Sequence, residues 1–241
     1  MIDSSQLADK LVSWIIEQVQ SAKLNGVVFG LSGGVDSAVV AGLAKRAFPN
    51  DSIGVFIPIS SSPEDREHAN LCADTFGLKM HDIDLTEVFQ TLLTALSPTT
   101  ENMNVPRLAI ANLKPRLRMT SLYYIANTYS YLVLGTGNLS EITVGYFTKY
   151  GDGGVDISPI AGLVKSQVRD LAVFLGVPKV IIDKAPSAGL WENQTDENEM
   201  GFTYEELDRY ILSGQGPVHI VKKIEAMSAG SAHKRRLPLV P

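Results

Sequence analysis

Residues 30–37 of the 241-residue chain read GLSGGVDS: two hydroxyls and an acid around a glycine pair, where an apolar strand gives way to a small-residue helix. Free backbone N–H groups and the positive end of a helix converge at such a turn, which suits an anion. Ser32 and Ser37 add hydroxyls. Asp36 sits badly beside a phosphate unless a cation lies between them, so it reads as a magnesium ligand sharing the ion with substrate phosphates. The plain alternative is a βα turn with Asp36 as an acid favoured at a helix start. No lysine follows the glycines, so the G-x-x-x-x-G-K-[ST] loop, whose lysine favours chemistry at the γ-phosphate, is absent. Farther along, Lys165 stands at the start of a helical pattern, a poor place for a cation unless an anion is bound there.

The elements around these residues follow from periodicity and end signals. Leu7, Leu11, Trp14, Ile15 and Val19 recur at helical spacing, with Ser4 or Ser5 available as N-cap. GVVFGLS and SIGVFIPI read as buried strands with the AVVAGLAKRAF helix between them. Ser62, Pro63, the acids after them and Gly77 bracket a third helix, then KMHDIDL reads as a strand and TEVFQTLLTAL as a short helix. SPTTENMNVPRLA is aperiodic and reads as a loop. NLKPRLRMTSLYYIANTYS returns to helix with an irregularity at Pro115, YLVLGTGN is a fourth strand, KSQVRDLAVFLG is a helix, and KVIID reads as a fifth strand. KAPSAGLWENQTDENEMG lacks a period, TYEELDRYIL and PVHIVKKIEAMSA are closing helices, and residues 231–241 form a basic tail. The predicted fold is a single α/β domain over 1–241: an open, mainly parallel five-stranded sheet with helices on both faces, Rossmann-like, with ligands beyond the C-terminal strand ends.

Composition narrows the classes. A formal charge of −5 argues against a broad nucleic-acid surface. The one cysteine, Cys72, permits no internal disulfide and no CxxC metal site, and reads as a packed core thiol. No apolar run is long enough to span a bilayer and MIDSSQLADK lacks the features of a signal peptide, so a cytoplasmic protein without membrane partners is expected.

SGGVDS after an apolar strand resembles the pyrophosphate loop of the ATP pyrophosphatases (adenine nucleotide alpha-hydrolase-like), which split ATP between the α- and β-phosphates and leave an adenylylated substrate. That superfamily includes GMP synthetase, argininosuccinate synthetase, asparagine synthetase, tRNA-thiolating enzymes and NAD synthetase, and the loop alone does not choose among them. NLKPRLRM, LGTGNLSE, GYFTKYGDGGVD, PIAGLVKSQVRDLA, PSAGLW and QTDENEMGFTYEELD, in this order, are similar to the successive signatures of the ammonia-dependent NAD synthetases.

The resemblance implies a set of sites. Gly30, Leu31, Ser32, Gly33, Gly34, Val35, Asp36 and Ser37, with Thr136, Lys165 and Ser187, would contact ATP; Asp36 and Glu141 would clamp Mg2+ from opposite sides. Two acids on separate strand ends are better explained by a cation than is one, although a solvated helix acid is the plain alternative for Glu141. Arg116, Lys149, Asp156, His233 and Lys234 match positions that hold nicotinic acid adenine dinucleotide (deamido-NAD+); for the basic tail the alternative is simple solvation. Asp152 is a further candidate metal ligand, and Pro115 and Gly189 depart from alanine and aspartate frequent in the family.

The implied reaction has two steps. The nicotinate carboxylate attacks the α-phosphorus of ATP, releasing pyrophosphate with Lys165 and Mg2+ neutralising charge; ammonia then attacks the adenylylated carboxyl carbon, giving NAD+ and AMP. Asp36, Lys165 and Asp156 are the candidate catalytic residues, Asp156 or a water on it serving as base for ammonia. Ammonia is the expected donor because no amidotransferase domain fits in the chain. A homodimer is implied, hinted at by the apolar face of NLKPRLRMTSLYYIANTYSYL, for which plain core packing is the alternative. Another amide- or sulfur-transferring pyrophosphatase and a non-catalytic adenine-nucleotide sensor stand as competing readings.

Overall fold

The computed structural model describes residues 3–101, 103–187, 189, 191, 194–238 and 240. In chain order the elements are α1 (Ser4–Ser21), β1 (Gly26–Gly30), α2 (Val35–Ala47), β2 (Ser52–Phe56), α3 (Pro63–Phe76), β3 (Lys79–Asp82), α4 (Thr86–Leu96), α5 (Arg107–Ala111), α6 (Leu113–Tyr129), β4 (Tyr131–Leu134), α7 (Leu139–Val144), α8 (Lys165–Leu175), α9 (Lys179–Asp183), α10 (Asp196–Met200), α11 (Tyr204–Ser213) and α12 (Val218–Gly230), with 3-10 turns at Ser97–Thr100 and Ala232–Arg235. The four described strands are parallel in the order β3-β2-β1-β4. No described helix is long and apolar enough to cross a membrane.

Alternation along β1 divides the core between the two faces. Val27 and Phe29 join α1, α2 and α8 in one cluster, while Val28 packs with Ile53, Val133 and the α6 residues Leu122 and Ile125 on the other side. A third cluster of Val144, Met200, Phe202, Leu207, Ile220 and Ile224 ties α7 to the closing helices. Helix α3 carries the end signals its sequence announces: Ser62 and Asp65 form a capping box, Pro63 sits in the first turn, and Gly77 ends it at φ 59°. Pro115 is the third residue of α6, early enough in the first turn to be tolerated.

Some expectations are overturned. Asp3, rather than Ser4 or Ser5, caps α1, its carboxylate accepting from Ser5 N–H at 3.0 Å. KVIID is not a fifth strand but helix α9: Pro178 starts it, Ile181 N–H reaches the Pro178 carbonyl at 2.9 Å, and Lys179 pairs with Asp183 one turn on at 2.6 Å. The position beside β4 is taken instead by residues 156–157, where Leu134 bridges to Ile157 and Gly135 N–H donates to the Ile157 carbonyl at 2.8 Å. Within the aperiodic 184–201 stretch, Asp196–Met200 forms α10. Ala188, Leu190, Glu192 and Asn193 of that stretch, Asn102 of the 97–108 loop, and Leu239 and Pro241 of the tail lie outside the described residues.

Candidate active site

The GLSGGVDS turn leaves the C-terminal end of β1, flanked in the sheet by β2 and β4. Leu31 is buried and continues the ladder to the Val55 carbonyl at 2.9 Å. Ser37, 2% exposed, ties the turn together: its hydroxyl donates to the Gly34 carbonyl (2.9 Å), accepts from Ser32 N–H (3.2 Å) and meets the Ser32 hydroxyl at 3.1 Å. Gly33 has φ +80°, and a Cβ there would lie 2.5 Å from the Asp65 carbonyl, so the start of α3 fills the space under the turn. Gly34 caps α2 without a side-chain cap of its own; Val35 is buried against the core and Asp36, in the first turn, is partly buried.

Asp36, Glu141 and Lys165 come together from α2, α7 and α8. The Lys165 ammonium lies 2.5 Å from Asp36 Oδ2 and 3.3 Å from Glu141 Oε1, with its side chain 3% exposed and those of the acids 17% and 16%. Asp36 Oδ1 also accepts from Asn138 Nδ2 at 2.8 Å, and Asn138 forms a capping box with Glu141 that fixes the first turn of α7. Burial pushes the Glu141 carboxyl up to about 7; the Lys165 ammonium pulls it back and the Asp36 carboxylate adds to the rise. For Lys165, burial lowers the ammonium, but Asp36 and Glu141 outweigh it and hold it above its ordinary value. Its ammonium also rests 4.8 Å from the centre of the Tyr204 ring.

The backbone of Lys165 has a different partner. Asp208 on α11 accepts from Lys165 N–H (3.3 Å), Ser166 N–H (2.8 Å) and the Ser140 hydroxyl (2.6 Å). The anion at the start of α8 is therefore a protein carboxylate, which frees the lysine side chain to turn toward Asp36 and Glu141. Tyr204 donates to Asp196 at 2.8 Å and stands 3.3 Å from Glu141. Asn138, Asp196, Tyr204 and Asp208 were not reached from the sequence. The N-x-x-E spacing of Asn138 and Glu141 was a usable cap signal, whereas Asp208 is 43 positions from Lys165 and carries none.

The remaining residues fall around this centre. Thr136 is half-buried after β4; Ser187 is exposed and accepts from Gly189 N–H at 3.1 Å, with no described bond to the turn. Asp156 has both oxygens engaged, by Val133 N–H (2.8 Å) and the Tyr123 hydroxyl (2.9 Å). Arg116 reaches the Lys149 carbonyl at 3.4 Å, Lys149 donates to the His233 carbonyl at 2.7 Å, and Lys234 donates to the Gly145 and Phe147 carbonyls at 2.8 Å each. His233 and Lys234 are thus fastened onto the 145–149 turn rather than only solvated. Asp152 accepts from Thr148 N–H at 2.9 Å, which holds its own turn and leaves it apart from the Asp36 group's hydrogen bonds. A cavity of about 330 Å³ between the end of β2 and the first turns of α3 is lined by Phe56, Pro58, Ser60, Arg66, Asn70 and Thr86.

A family model described as NAD synthase matches residues 7–238. The NH(3)-dependent NAD(+) synthetase of Carboxydothermus hydrogenoformans is 50% identical over 100% of this chain and 98% of its own length. That of Alkaliphilus oremlandii is 48% identical over 97% of this chain and 95% of its own length. Among solved structures, NMN synthetase from Francisella tularensis superposes with a TM-score of 0.95 at 36% identity, covering 100% of this chain and 99% of that one. NH3-dependent NAD synthetase from Campylobacter jejuni, in complex with the nitrate ion, gives 0.81 at 28%, covering 100% of both. A family match over nearly the whole chain, joined to an anion turn backed by Asp36, Glu141 and Lys165, leads to one assignment: the chain belongs to the NAD synthase family.

Proposed function

We propose that the protein is a carbon–nitrogen ligase that uses ATP and ammonia to convert nicotinic acid adenine dinucleotide to NAD+, through an adenylylated carboxyl, with release of pyrophosphate and AMP. The observation that carries this is the meeting of Asp36, Glu141 and Lys165 at the phosphate turn, in a chain 50% identical to an NH(3)-dependent NAD(+) synthetase. Pyrophosphate would rest on the N–H groups of Gly33, Val35 and Asp36 and on the Ser32 hydroxyl, whose oxygen already accepts from Gly34 N–H. The α–β bond, rather than the β–γ bond, is the one cut, because no lysine follows the glycines as it does in the G-x-x-x-x-G-K-[ST] loop. The cavity beside α3 offers room for the nucleoside part of ATP.

The donors present fit Mg2+: Asp36 and Glu141 offer hard carboxylate oxygens already gathered about one cation. These two residues would hold the ion, which when bound supplies charge neutralisation at the phosphates. Lys165, fixed in direction by its carboxylate partners and by Tyr204, offsets the charge that builds on the leaving pyrophosphate. No side-chain nucleophile is required, since the chain's task is to align two nucleotides and exclude water. Asp156, with both oxygens bonded to protein donors, is better suited to fixing β4 and the 149–156 turn, and to accepting a ribose hydroxyl, than to carrying a proton. Arg116, Lys149 and Lys234 would supply the cationic wall for the dinucleotide, with His233 beside them. A cytoplasmic homodimer completes this reading.

A second reading is favoured by one observation, the TM-score of 0.95 to NMN synthetase from Francisella tularensis against 0.81 to the Campylobacter jejuni enzyme. In it the acid substrate is nicotinic acid mononucleotide. Incubation with ATP, Mg2+, ammonium and each acid nucleotide, with chromatography of products, tests both. The first reading expects AMP and NAD+ with the dinucleotide preferred in kcat/KM, and loss of at least about a hundredfold in kcat for Lys165→Met. Preference for the mononucleotide supports the second, and ATP binding without AMP overturns both.

A further inference from the structure

Asp196, the first residue of α10, is 4% exposed. One of its oxygens, Oδ2, accepts from the Tyr204 hydroxyl at 2.8 Å; the other, Oδ1, is buried with no hydrogen-bond partner of good geometry among the described residues, the nearby Tyr146 hydroxyl giving its one proton to Glu199. Its backbone N–H donates to the Pro186 carbonyl at 3.1 Å, which ties it to the residue beside Ser187. The carboxylate lies within electrostatic reach of Asp36, Glu141 and Lys165. Three carboxylates thus face one ammonium, and an excess of negative charge is held out of water.

A buried carboxylate oxygen without a donor costs free energy, and native structures rarely keep one without a use. The Tyr204 hydroxyl sits between Asp196 and Glu141, 2.8 and 3.3 Å away, but a phenol carries one proton and can serve one acceptor at a time. The shorter contact gives that proton to Asp196 and leaves Glu141 Oε1 to a cation. What Oδ1 lacks is therefore a donor that is itself attracted by surplus negative charge. Water polarised by a divalent ion is such a donor, and magnesium characteristically keeps several of its waters. Among the described residues no three His, Cys, Asp or Glu side chains form a ready-made metal cage, whereas a water-mediated contact needs no third ligand.

We propose that Asp196 is a positioning residue of the cation site: Oδ1 accepts from a water of the divalent ion held by Asp36 and Glu141, and the Tyr204 hydroxyl on Oδ2 keeps the two acids in register. This rests on the cation reading given above.

The probe is Mn2+, titrated by electron paramagnetic resonance into the full chain with α,β-methylene ATP bound. Asp196→Asn is expected to weaken Mn2+ binding about tenfold, and Tyr204→Phe roughly threefold. Affinity for the analogue without metal stays unchanged in both, and raised Mg2+ restores kcat. Wild-type Mn2+ binding in Asp196→Asn, with binding lost in Glu141→Gln, overturns the proposal and leaves the cation reading standing. Wild-type binding in Glu141→Gln as well overturns that reading too. A raised KM for ammonium with Mn2+ binding intact also overturns the proposal, since it assigns Oδ1 to the nucleophile. Should Asp196→Asn fail to fold, Tyr204→Phe decides, and unchanged Mn2+ binding there is the overturning result.

Discussion

Lys165 shows how one position can serve two kinds of chemistry at once. Its backbone N–H is capped by Asp208 while its ammonium is held by Asp36 and Glu141, so the unfavourable placement of a cation at a helix start is answered by a carboxylate from α11. Cys72 stands at the other extreme, a polarisable atom with no chemistry to do. It is fully buried in the main core, and burial pushes its thiol from 9.0 up to about 12. Because the folded value lies above the unfolded one, the neutral thiol's contribution to stability is complete below pH 9 and is lost as pH rises from there toward 12. The native protein is accordingly expected to resist iodoacetamide at pH 8 and to react promptly in guanidinium. Native labelling at the denatured rate would contradict the burial. Cys72→Ala should lower stability by about 1 kcal/mol, read by chemical denaturation, without changing KM for ATP.

The β1–α2 turn depends on α3 as much as on its own glycines. Two glycines with positive φ separate backbone strain from crowding: Gly33, where a Cβ would lie 2.5 Å from the Asp65 carbonyl, and Gly77, at φ +59° with open space around it. Gly77→Ala should cost about 1 kcal/mol by strain alone. Gly33→Ala must also push α3 away, so a loss of about 2–4 kcal/mol and a raised KM for ATP are expected from thermal melts and initial rates. Equal losses at the two sites would show that the α3 contact is slack. Helix α3 was legible because Ser62, Pro63, Asp65 and Gly77 mark both its ends. Helix α9 was not, because five residues with three β-branched side chains carry a strand's composition, and only the proline before them and the pairing already complete beside β4 decide otherwise. The turn, Asp36, Glu141 and Lys165 could be read from local sequence and family resemblance. Their buried neighbours could not, because the Asp196–Tyr204 bond joins α10 to α11 and Asp208 reaches α8 across the fold, and neither leaves a periodic trace.

At the scale of the whole molecule, the sheet's outer edge limits how copies can associate. Strand β3 is an edge strand bearing Lys79 and Asp82 at its ends, charges of the kind that discourage continuation of a sheet into a second chain. The surface beside it is different in character: Tyr124, 74% exposed, and Tyr129 of α6 line a hollow of about 290 Å³ with His81 and Ile83. Exposed aromatics on one face of a helix whose other face is committed to the core mark a contact surface more often than an isolated exposed side chain does. For the homodimer in the proposed function, helix-to-helix contact through α6 is the geometry consistent with both facts, and it would place Arg116 on the same helix near the second copy. Light scattering behind size exclusion is then expected to give about twice the 26.1 kDa chain mass for the wild type. Tyr124→Arg, which places a charge at the centre of that face and touches no residue of the Asp36 group, should elute at the single-chain mass with its thermal midpoint little changed. A dimer that survives Tyr124→Arg moves the interface away from α6, and a monomeric wild type removes the dimer altogether.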